Sequence, residues 1–214
     1  MANPNLDLYF DIVKTLERLG IDYVIIGAFA GQSYGVTRTT SDVDIVVHLQ
    51  EPHIEALAAA YPSPRFYADP EQMRSSIAWG IMFNIIDSSE GNKVDLIPLT
   101  MKPGYDFAIA GRIRRPVSTA DGQTFWAWFA RPEDVIAGKF MAWREGRSPK
   151  HETDIRDILI AVRLGDDPEI TQMFDSEYVD GWADELGEDV KLFWETLKTI
   201  AKQKADSVVR PDHD

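Results

Sequence analysis

A glycine turn and a spaced pair of aspartates, separated by little more than one short helix, constrain this chain more than any other feature. Gly27-Ala28 follows the apolar Ile25-Ile26, and Arg38-Thr39-Thr40-Ser41 then leads into Asp42-Val43-Asp44 and the apolar run Ile45-Val46-Val47. In a strand, side chains two positions apart share a face, so Asp42 and Asp44 are expected to project together. Two like charges on one face call for a cation. Oxygen-only donors favour a hard divalent ion, and Mg²⁺ takes one or two carboxylates while leaving its other positions to water and substrate phosphates. The pattern points first to phosphoryl or nucleotidyl transfer.

A third carboxylate extends it. Ile81–Ile86 and Lys93–Pro98 read as two strands joined by the turn-forming Asp87-Ser88-Ser89-Glu90-Gly91-Asn92, which places Asp95 inside an otherwise apolar strand. Asp95 then either faces solvent by simple alternation or completes a triad with Asp42 and Asp44. Such a triad can hold two divalent ions, which stabilise the attacking and leaving oxygens of an in-line displacement.

The rest of the chain supplies an α+β frame for these residues. Leu8, Ile12, Leu16 and Leu19 recur at helical spacing before Gly20, so a helix over 6–19 ending at a glycine cap is expected. Strands follow at 21–26 and 42–49, with a turn and short helix from Gly27 to Gly35 between them. A turn of this kind brings backbone amides close to a phosphate. Pro52–Ala60 reads as a helix with proline at its start, 61–65 as a loop, and 103–111 as a helix. Two extended segments lie at 112–118 and 124–130. Helices are expected near 132–146, 152–164, 168–186 and 188–205. The resulting organisation is a core over 1–125 and a mostly helical region over 126–214, with a soft boundary because no Gly/Ser-rich linker intervenes.

Composition narrows the class. The 214 residues are 44% hydrophobic, enough to bury a substantial core, and the absence of cysteine excludes disulfides, zinc-thiolate sites and thiol nucleophiles. His48, His53, His151 and His213 show no paired metal-ligand spacing. No apolar run of about 18 residues and no basic leader are present, so a cytoplasmic protein without a membrane partner is expected. The net charge of −13 argues against non-specific coating of nucleic acid. That charge is unevenly distributed: −7 over 1–101, +4 over 102–150 and −10 over 151–214. Arg112, Arg114, Arg115, Arg131, Lys139, Arg144, Arg147 and Lys150 form the only net-basic stretch, suited to a triphosphate or an RNA backbone, or else to ordinary solvated surface.

With these residues in view, the chain resembles the nucleotidyltransferase superfamily with the DNA polymerase β-type palm. More narrowly, it is similar to the AbiEii/AbiGii-type toxin nucleotidyltransferases. Three stretches carry the closer match: Ile25–Ala28 with Tyr34-Gly35, Arg38–Asp44, and Arg131–Lys139 continuing to Thr153–Asp157. The resemblance implies a palm-type mixed sheet with flanking helices followed by a helical C-terminal region. It also implies Mg²⁺ (or Mn²⁺), an NTP substrate, and transfer of NMP to an acceptor hydroxyl of tRNA or another RNA, with a cognate antitoxin as partner. Asp42, Asp44 and Asp95 would hold metal, and Gly27, Ala28, Arg38, Thr40, Ser41 and Lys139 would position the triphosphate.

Each of these residues has a plainer structural reading. Thr40 and Ser41 are also turn formers. Lys139 borders the apolar stripe Ile136, Phe140, Trp143 and is expected either to reach a triphosphate or to snorkel with its ammonium in water. Asp154 and Asp157, near a helix start, suit the macrodipole; the Lys-Asp usual in the family at this point is here Thr153-Asp154, and their roles stay open. Trp126, Trp128, Trp143, Trp182 and Trp194 either stack a base or belong to the core. Small-molecule nucleotidyl transfer and a nucleotide-binding regulatory role are the alternatives. A glycosyltransferase shares the Asp-x-Asp motif but needs a larger nucleotide-sugar domain than the residues before Asp42 provide.

Overall fold

The structure is a computed structural model and describes residues 5–40, 42–118, 122 and 124–209. Seven strands form one sheet in the order β3-β4-β5-β2-β1-β7-β6. They are β1 (Asp22–Ile26), β2 (Asp44–His48), β3 (Phe66–Tyr67), β4 (Phe83–Asp87), β5 (Asn92–Pro98), β6 (Ile113–Ser118) and β7 (Thr124–Phe129). The sheet is mixed: β2 runs parallel to β5 and β1 parallel to β7, while the other neighbours are antiparallel. Ten helices are described, α1 (Asn5–Leu19), α2 (Gly27–Gln32), α3 (Glu51–Ala60), α4 (Pro70–Trp79), α5 (Asp106–Ala110), α6 (Pro132–Gly146), α7 (Pro149–Leu164), α8 (Pro168–Met173), α9 (Ser176–Leu186) and α10 (Glu188–Val209). The expected α+β class, a mixed sheet with flanking helices followed by a helical region, is the architecture observed.

Contacts divide the chain into two compact units, Met1–Phe29 with Thr40–Ala130, and Ala30–Thr39 with Arg131–Asp214. A boundary at 125/126 would cut through β7, whose hydrogen-bonded partners β1 and β6 both belong to the first unit. Within that unit, α1 buries Leu8, Ile12 and Leu16 as its spacing requires. Gly20, at φ +67°, closes the helix by donating its N–H to Glu17 O. Ile45, Val46 and Val47 of β2 are all buried, so this central strand is covered on both faces and reads as a continuous apolar run rather than an alternation.

The second unit is helical. Phe140 of α6 meets the fully buried Trp194 of α10 edge-on, centroids 5.6 Å apart, and Trp143 stacks on Phe193 at 3.9 Å. The single helix expected over 168–186 is two helices. Asp175 interrupts it: its carboxylate accepts from Tyr178 N and caps α9, while its own N–H donates to Glu133 Oε1 of α6 at 2.7 Å.

Candidate active site

Parallel pairing of β2 with β5 brings two of the expected carboxylates together. Asp44, the first residue of β2, is the register partner of Asp95 in β5, and on its other side Asp95 is paired with Asn84 of β4. Ile26 of β1 pairs with Asp44, so one row across the sheet reads Ile26, Asp44, Asp95, Asn84. Side chains in register on neighbouring strands share a face. Asp95 is accordingly half-buried in an apolar strand, with Asn84 donating its amide to Oδ1.

Lys93, two residues before Asp95 and on the same face, spans the carboxylate, its Nζ 3.0 Å from Oδ1 and 3.2 Å from Oδ2. The Asp95 hydrogen bond holds the Lys93 ammonium above its ordinary pKa, and the fields of Asp42 and Asp44 add to that. All three aspartates therefore act on one cation. They do not converge on one point: among the described residues, no group of three or more His, Asp or Glu side chains is arranged to hold a metal ion.

Gly27 opens α2 at φ +72° directly over this row. A Cβ there would lie 2.5 Å from Asp44 Oδ2, so the bare α-carbon is what lets the turn approach the carboxylate. Asp42 is not in β2, which begins two residues later than expected. Its backbone is drawn into a turn by Thr40, whose Oγ1 is 3.2 Å from both Asp42 N and Asp42 O. Asp42 itself is exposed and Ala28 is buried. Ser41 lies outside the described residues. The donor set fits a hard divalent ion: two adjacent carboxylates are all oxygen, and one or two carboxylates are what Mg²⁺ ordinarily takes from a protein.

Arg38 and Lys139 belong to the second unit, where both are held by Asp154. Arg38 donates Nε to Oδ1 at 2.7 Å and Nη2 to Oδ2 at 2.9 Å, and Lys139 Nζ donates to Oδ2. Lys139 is buried and ion-paired, so it does not snorkel. Asp154 is fully buried and is not a wet carboxylate at a helix start. Burial pushes its pKa up, but the Arg38 hydrogen bonds and the Lys139 charge outweigh this and hold it below the ordinary range.

One turn along α7, Asp157 accepts from Thr37 Oγ1 at 3.0 Å and Thr37 N at 3.4 Å. The acidic pair thus ties 37–38 to α7. Gly35, at φ +99°, lets the same segment press on Ala161, whose Cβ would be 2.5 Å from an added Cβ. His151 lies beside the hub with a buried, unpartnered Nδ1. Burial first, then Lys139, Lys150 and Arg38, lower its pKa to about 4.

The basic stretch is largely engaged internally. Arg112 pairs with Asp22, Arg114 with Glu17, Arg131 with Asp134 and Arg147 with Asp189. Trp128 lies under both Arg112 and Arg114, each guanidinium 4.9 Å from its ring centre, while Trp126 is 56% exposed. Lys93 and Asn84 are not among the residues that the sequence singles out; Arg38, Lys139 and Asp154 are, but not the pairing that joins them. Lys93-x-Asp95 at strand spacing is the one signal that could have marked the first.

No protein-family model matches the chain, and no curated protein matches it. Among solved structures, the antibiotic-resistance factor ANT(2'')-Ia, determined in solution, is similar over 97% of this chain and 96% of its own, at 14% identity and a TM-score of 0.48. An antigenic nucleotidyltransferase-like protein from Paracoccidioides brasiliensis is similar over 87% of this chain and 88% of its own, at 19% identity and a TM-score of 0.45.

Proposed function

We propose that this chain is a Mg²⁺-dependent nucleotidyltransferase, active in the cytoplasm, that moves an NMP from an NTP to an acceptor hydroxyl with release of pyrophosphate. The observation that carries the proposal is the in-register pair Asp44 and Asp95 beneath a glycine whose missing side chain leaves Asp44 accessible to a close-packed turn.

Asp44 and Asp95 would hold the metal, with Asp42 joining from the preceding turn. A bound divalent ion supplies charge neutralisation at the phosphates and a lowered barrier to in-line displacement. The protein's own part is placement. Strand register fixes the separation of Asp44 and Asp95, Gly27-Ala28 would lay its backbone along the nucleotide, and Asp95 would accept the proton of the attacking hydroxyl. Thr40 and Ser41 would border the phosphates, Thr40 also fixing the Asp42 turn. Within the second unit, Asp154 holds the side chains of Arg38 and Lys139, the two cations that the resemblance assigns to the triphosphate.

For the acceptor, the AbiEii-type resemblance favours tRNA or another RNA and, with it, a cognate antitoxin. A second reading has an observation of its own. Arg112, Arg114, Arg131 and Arg147 are already paired with carboxylates, and the chain is strongly acidic, which suits a small cationic acceptor better than an RNA backbone. Incubation with α-labelled NTPs, Mg²⁺ and either total RNA or aminoglycosides separates the two. Label on RNA supports the first, and label on the small molecule the second. NTP binding without transfer to either would turn the reading towards a regulatory nucleotide-binding protein.

A further inference from the structure

The ammonium of Lys93 sits where the carboxylate row needs positive charge. It contacts both oxygens of Asp95 at 3.0 and 3.2 Å from the same strand face, Asn84 secures Oδ1 from β4, and Asp44 is the neighbour in register on β2. From this geometry we infer that Lys93 is the site's tethered counter-cation: it holds the carboxylates together in the metal-free protein and must withdraw from Asp95 when a divalent ion enters. The inference rests on the metal-site reading proposed above and adds a residue to which that reading gives no part.

Lys93 is built to leave. Its side chain is about half exposed, whereas that of Asp95 is 13% exposed, so the carboxylate stays fixed while the lysine swings into water. Its four-carbon stem is flexible, and the ammonium regains hydration on departure. An ion pair with one partner this exposed contributes little, so the lysine taxes metal binding without preventing it. Only the fraction of molecules with Lys93 withdrawn is ready to bind, which weakens the apparent affinity by that fraction. Loss of the lysine charge should therefore strengthen metal binding, the opposite of what removing a ligand or a structural support would do.

Mn²⁺ titration of the full chain, following free Mn²⁺ by electron paramagnetic resonance, tests this without any catalytic assay. Lys93→Met is expected to bind Mn²⁺ about two- to fivefold more tightly than the unaltered protein at the same stoichiometry. Lys93→Arg keeps a cation over Asp95 and is expected to bind no more tightly than the unaltered protein. Unchanged or weaker binding by Lys93→Met overturns the inference, as does an equal gain in Lys93→Arg. Asp44→Asn separates this failure from that of the underlying reading. Mn²⁺ binding that Asp44→Asn leaves intact, or no binding by any form, overturns the metal site and the Lys93 role together. Binding lost in Asp44→Asn but indifferent to Lys93→Met overturns the Lys93 role alone.

Discussion

At the scale of single residues, the site depends on positions where one atom more or less decides the geometry. Gly27 is the sharpest case, because it combines φ +72° with an added Cβ only 2.5 Å from Asp44 Oδ2. Gly27→Ala should cost about 1–3 kcal/mol of stability and weaken Mn²⁺ binding by moving Asp44. Urea unfolding together with the Mn²⁺ titration checks both, and a variant as stable as the original would show that the turn relaxes without cost. Asp44 and Asp95 are legible in the sequence because strand alternation and an apolar context need no tertiary knowledge. Asn84 is not, since its meaning comes from strand pairing and nothing local to 84 says that its partner will be 95; Lys93 carries only the local signal of its strand spacing from Asp95. Asp42 is legible as a candidate but not as a turn residue, because the Thr40 hydroxyl competes for its backbone and delays the strand by two positions.

Among the elements, β5 and α7 do the organising. The parallel β2/β5 pair starts both strands at the same end, which is why two aspartates about fifty residues apart become neighbours. Helix α7 holds segment 30–39 through Asp154 and Asp157. Asp154→Ala removes the buried carboxylate that Arg38 and Lys139 share, so a loss of about 3–5 kcal/mol is expected, read by urea unfolding with the fluorescence of Trp143 and Trp194. A loss below about 1 kcal/mol would mean that the hub is replaceable by solvent.

The same hub gives the unit a pH dependence. His151 titrates at about 4 in the folded chain against an ordinary 6.5. Between those values the unfolded chain binds a proton that the folded one refuses, so stability should fall as pH drops through that window. Asp154, with a depressed pKa, continues the loss at lower pH as it protonates. Unfolding midpoints of His151→Gln should lose part of the slope between about pH 6.5 and 5, and an unaltered slope would contradict this. The residue types of this hub are visible in the sequence, but its connections are not, because Arg38 and Asp154 are 116 positions apart. The break between α8 and α9 is hidden for a related reason, since Asp175 is fixed there by Glu133 from another helix.

For the whole molecule, the charge pattern and the fold answer different questions. Most of the strands and the helical second unit follow from apolar patterning, and that much is legible in the amino-acid sequence alone. None of the described helices is long and apolar enough to cross a membrane. The basic stretch over 102–150 is equally visible, yet its arginines are spent largely on Asp22, Glu17, Asp134 and Asp189, pairings that composition cannot reveal. The deciding experiment follows the α-phosphate: purified protein with α-labelled NTP, Mg²⁺ and the RNA and aminoglycoside acceptors, with label transfer and pyrophosphate measured for the unaltered chain and for Asp44→Asn shown to be folded. Transfer coupled to pyrophosphate, reduced by at least about a hundredfold in Asp44→Asn, is the outcome expected if Asp44 holds the metal. A folded Asp44→Asn that transfers label at the unaltered rate would contradict the assignment of this carboxylate row as the catalytic centre.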